Sequence, residues 1–249
     1  MSASTNVTGR LIKRQKLSTR LTHWIWAICL FFLLLSGLQI FNAHSALYLG
    51  DEVGFTYDNA IFEIDGFPGW MTIPSTQDLA TGRVVHFFFA WIFVATLFVW
   101  LVASLRNRHL RKDLLPGAKD VKNFGSDVRD HLRLKLVHTV RYSPLQKLAY
   151  GGVLFVLFPL IIVTGLSMSP GMNAVLPWLP ELFGGRQSAR TVHFGVMALL
   201  VLFFIVHMAM ILLAGPVNEL RSIITGRYRL SPKSVNKSVN KSVKETSDV

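Results

Sequence analysis

Four stretches of this chain, near Thr22–Asn42, Val84–Leu105, Leu148–Met168 and Thr191–Leu213, contain no Asp, Glu, Lys or Arg. A bilayer core of about 30 Å is crossed by roughly 20 mostly apolar residues in a helix, so each stretch is long enough to span a membrane. Lipid offers the backbone no hydrogen-bonding partner, which favours helices that satisfy their own N–H and C=O groups. The sequence therefore predicts an all-α fold, an integral-membrane four-helix bundle. Composition agrees: 51% of the 249 residues are hydrophobic, with 18 Phe and 6 Trp.

Basic residues divide unevenly among the segments between the spans. Of the 26 Lys and Arg, only Arg83, Arg186 and Arg190 fall in the first and third connecting segments. The rest precede the first span, follow the fourth, or lie between the second and third. Positive residues stay on the cytoplasmic side, so both termini are expected there, in a multi-pass protein of the bacterial inner membrane. The same distribution accounts for the net charge of +12 and removes the reason to expect nucleic acid as a partner. The first span follows a basic segment but is too long, and lacks the small-x-small site, for a cleaved signal peptide; it is expected to stay as an anchor. One cysteine, Cys29, excludes a disulfide within the chain, a Cys-ligated iron–sulfur cluster and covalent haem attachment through C-x-x-C-H.

This reading divides the chain into a cytoplasmic segment over 1–20, a four-span domain over 21–230 and a disordered basic tail over 231–249, where "SVNKSVNK" repeats in tandem. Contact of the tail with anionic lipid is an alternative to a merely solvated tail, which is the preferred reading. Trp24 and Trp26 suit the headgroup level. The first outer loop, Ala43 to Arg83, is acidic and aromatic and too long for a simple turn, which points to an ordered cap or docking surface. In the loop over 106–147 basic and apolar residues alternate, which fits either a strand-like pairing or a helix lying on the lipid surface, and the surface helix is the preferred reading.

The fourth span raises a sharper question, because it holds two histidines, His193 and His207. Ionisable side chains inside a membrane are costly and by default functional. Fourteen residues at 1.5 Å rise and about 100° each place the two on one helix face, ~21 Å apart along the axis. His86 opens the second span at the outer level of His193, and His23 opens the first at the inner level of His207. A structural role is the ordinary explanation for any one of them, but it does not explain two depth-matched pairs. A proton relay would recruit Asp or Glu within the spans. A zinc or copper site would gather three or four ligands at one level. Two imidazoles at each of two levels are what two stacked bis-histidine haem b groups require: His23 and His207 for an inner iron, His86 and His193 for an outer one.

Glycines fit this pattern, since Gly151 and Gly165 are fourteen apart and Gly37 lies fourteen beyond His23. Haem propionates need cations near the interface. Arg83 and Arg190, with Arg186 beside them, are the outer candidates, and Arg20 and Lys16 the inner ones. His44, His109, His131 and His138 fall in loops or at membrane edges and are read as structural or surface residues.

On "TRLTHW" around His23, "GRVVHF" around His86, the pair His193 and His207, and "RYSPLQKLAY" before the third span, the chain resembles the bacterial four-helix di-haem cytochrome b family. That family includes cytochrome b561 and the cytochrome b subunits of nickel–iron hydrogenases, formate dehydrogenase and thiosulfate reductase. The resemblance implies axial haem ligation by the four histidines and electron transfer between a quinone and a periplasmic redox subunit. The outer loop looks closest to members that serve a periplasmic molybdopterin oxidoreductase. The resemblance favours a quinone site near the inner haem, with Lys16, Arg20, Tyr142 and Gln146 as candidates. A rival reading is a stand-alone haem superoxide:quinone oxidoreductase, which a short basic outer face would favour.

Overall fold

The computed structural model describes residues 11–52, 58–106, 125, 129 and 144–229. Strand β1 (Leu11–Lys13) leads into α1 (Leu17–Asn42), which is followed by the short strands β2 (Ala46–Leu47) and β3 (Phe62–Glu63). Helix α2 is Leu79–Arg106. The third span, Leu145–Ser167, is α3 (Pro144–Gly152), a π-helical turn (Val153–Leu157) and α4 (Phe158–Ser167). A short helix α5 (Pro170–Val175), the long α6 (Arg186–Ala214), α7 (Pro216–Thr225) and strand β4 (Arg227–Arg229) complete the chain.

Four helices long and apolar enough to cross a membrane are thus present among the described residues. Each of them starts about one turn before the apolar window that revealed it, because a helical backbone continues to satisfy itself in the interface. Asp78 starts α2, its carboxylate accepting the Thr81 N–H at 3.0 Å. Large side chains such as Phe88, Phe98, Val99 and Leu202 are exposed without lining the cavity between the helices, as suits residues that face lipid.

Helix α1 packs chiefly on α2, and α4 on α6. Between the two hairpins, at mid-depth, Cys29, Phe93, Val153 and Phe158 form a buried cluster. Trp26 belongs to it: its ring meets Phe93, Trp100 and Phe158 edge-on, and its indole N–H donates to Thr96 Oγ1 at 3.1 Å. Trp26 is therefore a residue of the packed interior and not of the headgroup level, whereas Trp24 is exposed. Two residues along a helix are about 200° apart, so the two indoles face opposite ways.

At one end of the bundle β1 pairs antiparallel with β4, Ile12 opposite Tyr228, so both ends of the described chain lie on the same side. The amphipathic α7 supports this clasp, where Arg14 Nη1 reaches both Glu219 carboxylate oxygens at 3.1 and 3.2 Å. The opposite end, called outer here after the distribution of basic residues, carries an ordered cap. Its strands β2 and β3 pair, and Asn42 exchanges two 2.7 Å hydrogen bonds with Phe67. The cap also completes α6: Gly50 O accepts the N–H groups of Gln187 and Ser188, and Asp51 Oδ1 accepts that of Arg186 at 2.8 Å. Three of the helix's unpaired amides are satisfied by a loop more than a hundred residues away in sequence. The surface helix expected over 106–147 and the tail over 231–249 lie outside the described residues, save Gly125, Arg129 and the first residues of α3.

Candidate functional site

A cavity of about 1990 Å³ extends along the bundle between the two hairpins, from Asp51 and Arg186 at the outer end to Glu219 and Ser222 at the inner end. It is about twice the upper end of the ~300–1,000 Å³ usual for small-molecule sites. His23, His86, His193 and His207 all line it.

The four imidazoles meet in the pairs that depth implied. His86 and His193 face each other with ring centroids 6.4 Å apart, and His23 and His207 with centroids 6.5 Å apart. Metal–imidazole bonds are about 2.0–2.1 Å and a ring centroid sits ~1.1 Å behind its nitrogen, so two rings on opposite sides of one iron stand roughly 6.3 Å apart. Direct imidazole–imidazole hydrogen bonding brings rings closer than this. Each pair could therefore hold a hexacoordinate haem iron, and the residues present fit that group.

The surroundings of the outer pair reinforce the fit. A Cβ added to Gly37 would approach His86 Cε1 to 3.3 Å, and one added to Gly165 would approach His193 Cε1 to the same 3.3 Å. The two glycines thus leave room for the Cε1–Nδ1 edges of the imidazoles to approach α1 and α4 closely. Gly151 has open space beside it instead. The fourteen-residue phase that linked it to Gly165 is broken by the π turn at Val153–Leu157, which carries an extra residue per turn. Sequence spacing had no signal for that turn.

Around the inner pair the contacts are aromatic. The Phe203 ring stacks on His207 at 5.7 Å and Tyr150 meets it edge-on at 6.4 Å, while Trp24 meets His23 edge-on at 5.5 Å. Gln146 also lines the cavity. Tyr142 lies outside the described residues.

The basic candidates separate by location. Arg83, Arg186 and Arg190 border the outer end of the cavity. Arg83 lies over the Phe87 ring, Arg186 donates to Met168 O at 2.6 Å, and Arg190 donates to His44 O and lies over Phe41. Lys16 is exposed at the start of α1, and Arg20 turns toward the clasp to donate to Ile224 O; neither borders the cavity. Arg14, which the sequence had not singled out, does border it. His44 is a structural residue of the cap, its Nε2 2.9 Å from the hydroxyl of the fully buried Tyr48. Burial, and then the nearby Arg190 guanidinium, hold the His44 imidazole below its ordinary pKa. His109, His131 and His138 lie outside the described residues.

The sequence model of a family described as "Prokaryotic cytochrome b561" matches residues 14–226. Over 198 residues the chain is 27% identical to the putative protein-methionine-sulfoxide reductase subunit YedZ1 of Azospira oryzae, covering 78% of this chain and 87% of that protein. With the four spans and a family match over most of its length in agreement, the chain belongs to the prokaryotic cytochrome b561 family, and is a multi-pass haem cytochrome b of electron transfer in the bacterial inner membrane.

Proposed function

We propose that this protein carries electrons between the quinone pool and a periplasmic redox subunit through two haem b groups, with both termini in the cytoplasm. His86 and His193 hold the outer iron, and His23 and His207 the inner one. The observation that carries the reading is the two imidazole couples, with ring centroids 6.4 and 6.5 Å apart, in one continuous cavity. Bound haem supplies one-electron chemistry, and the protein's part is to ligate, orient and bury it. Arg83 and Arg190, at the outer end, are placed to pair with propionates. The cluster around Trp26 and Phe93 lies between the two histidine levels and lines the cavity there with apolar side chains.

The partner is proposed as a molybdopterin-containing oxidoreductase subunit docking on the acidic, aromatic cap. Supporting this, the Azospira relative is named as a subunit of a reductase, one that acts on protein methionine sulfoxide. The rival reading, direct oxidation of superoxide, depends on an outer face that attracts anions. Here Arg186 and Arg190 are engaged with backbone carbonyls, and the cap around them carries Asp51, Glu52, Asp58, Glu63 and Asp65. Quinone is expected near the inner pair, where Gln146 and Tyr150 border the cavity.

The test is a pyridine haemochrome assay with a reduced-minus-oxidised spectrum on protein purified in mild detergent. Two low-spin haems b per chain are expected; a chain expressed with haem available that binds none ends the reading. Copurification with a periplasmic oxidoreductase separates the conduit from the stand-alone enzyme.

A further inference from the structure

Among the described residues the outer histidines share a second feature. Ser36 Oγ lies 3.1 Å from His86 Nδ1, and Thr164 Oγ1 lies 3.0 Å from His193 Nδ1. Both hydroxyls are fully buried, and each immediately precedes the glycine against which its histidine lies. Each also donates its one proton along its own helix, Ser36 to Phe32 O at 2.6 Å and Thr164 to Leu160 O at 2.7 Å. A hydroxyl has a single proton, so once that proton is committed to a carbonyl the oxygen can only accept. The ring nitrogen facing it must be Nδ1–H. With the proton on Nδ1, the lone pair of each outer imidazole is on Nε2.

This arrangement is repeated: a hydroxyl and a glycine, side by side on α1, serve the histidine of α2, and the same two residue types on α4 serve the histidine of α6. Beside the inner pair there is no counterpart at His23, whose Nδ1 is buried without a hydrogen-bond partner. Donation from Nδ1–H makes an imidazole a more basic ligand and fixes its ring plane. A more basic ligand favours the ferric state of a haem iron over the ferrous.

We infer that Ser36 and Thr164 are positioning residues that fix the ligating tautomer and ring orientation of His86 and His193, and so tune the outer haem alone. The inference rests on the ligand assignment proposed above.

The experiment uses the full-length protein in detergent, with Ser36→Ala, Thr164→Val and the double variant, and with Ser36→Thr and Thr164→Ser as conservative controls. Redox titration, the ferric low-spin EPR spectrum and the rate of haem transfer to excess apomyoglobin are read together. His86→Ala, expected to lack the outer haem, identifies which signal is which. The expected result is a rise in the outer midpoint potential, a changed outer EPR signal and an outer haem lost roughly 10–100-fold faster, with the inner haem unmoved and the conservative variants close to wild type. Unmoved outer signals, an equal shift of both haems, or loss of both haems would each overturn the inference. Wild-type protein without haem strikes the ligand assignment itself, whereas a wild type with two haems and unresponsive variants strikes only the role of the hydroxyls.

Discussion

Arg14, ahead of the first span, and Glu219, beyond the fourth, form an ion pair at 3.1 Å that ties the two ends of the described chain together at the inner end of the bundle. Both side chains are about four-fifths buried, at 20% and 22% exposure, and the Arg14 guanidinium also lies 4.5 Å from the centre of the Tyr228 ring. The pair is accordingly expected near the top of the range for surface ion pairs, about 1 kcal/mol. Arg14→Ala and Glu219→Ala should each lower the temperature at which the Soret band collapses, and the double variant should be little worse than either alone. Strictly additive losses would show that the two side chains act independently.

The pairing of the histidines makes a prediction that counting haem can decide. His86→Ala, His193→Ala and the double variant should each leave one haem per chain, and so should His23→Ala, His207→Ala and their double. Combining one residue from each pair, as in His86→Ala with His207→Ala, should remove both. A double variant within one pair that loses both haems, measured by pyridine haemochrome, rules the pairing out.

Gly185 has φ of 112°, and a Cβ there would come within 2.5 Å of Gly50 O and 2.6 Å of Asp51 Oδ1. Gly185→Ala therefore combines a backbone conformation that side chains resist with a clash against the loop that caps α6. A loss of about 1–3 kcal/mol is expected. Limited proteolysis of the cap in spheroplasts, where the proposed orientation exposes it, should accelerate in Gly185→Ala and, more weakly, in Asp51→Ala. Gly151→Ala, with open space beside the glycine, should leave the cap unaffected.

His44 should make stability depend on pH. Its pKa is lowered in the fold from 6.5, so between 6.5 and the lowered value the unfolded chain binds more protons than the folded one. Stability then rises with pH across that window, and the contribution is lost as pH falls below 6.5. Wild-type protein should lose more thermal stability between about pH 7 and pH 5.5 than His44→Gln does. Equal losses in the two proteins would remove His44 from the account.

Along each helix the sequence was legible. The fourteen-residue interval from His193 to His207 is set by backbone hydrogen bonding that repeats every 3.6 residues, so facing and depth follow from counting. Absence of charge over 22–42, 84–105, 148–168 and 191–213 fixed the spans, because hydrocarbon penalises charge whatever the packing. From these two facts came the four spans and the grouping of His23 with His207 and of His86 with His193.

Between helices the sequence was silent. The spans are apolar nearly all round, and in lipid an apolar side chain gains little by turning inward, so the pattern does not mark which face is buried. Hence Trp26 could be placed at the headgroups when it belongs to the core, and Arg20 beside a cofactor when it reaches to Ile224. The seating of His86 on Ser36 and Gly37 and the capping of α6 by Gly50 and Asp51 are contacts between distant parts of the chain, and the π turn at Val153–Leu157 is a local departure that spacing does not mark. Periodicity determined which histidines share a depth; the rotation and docking of the helices decided what stands behind each of them.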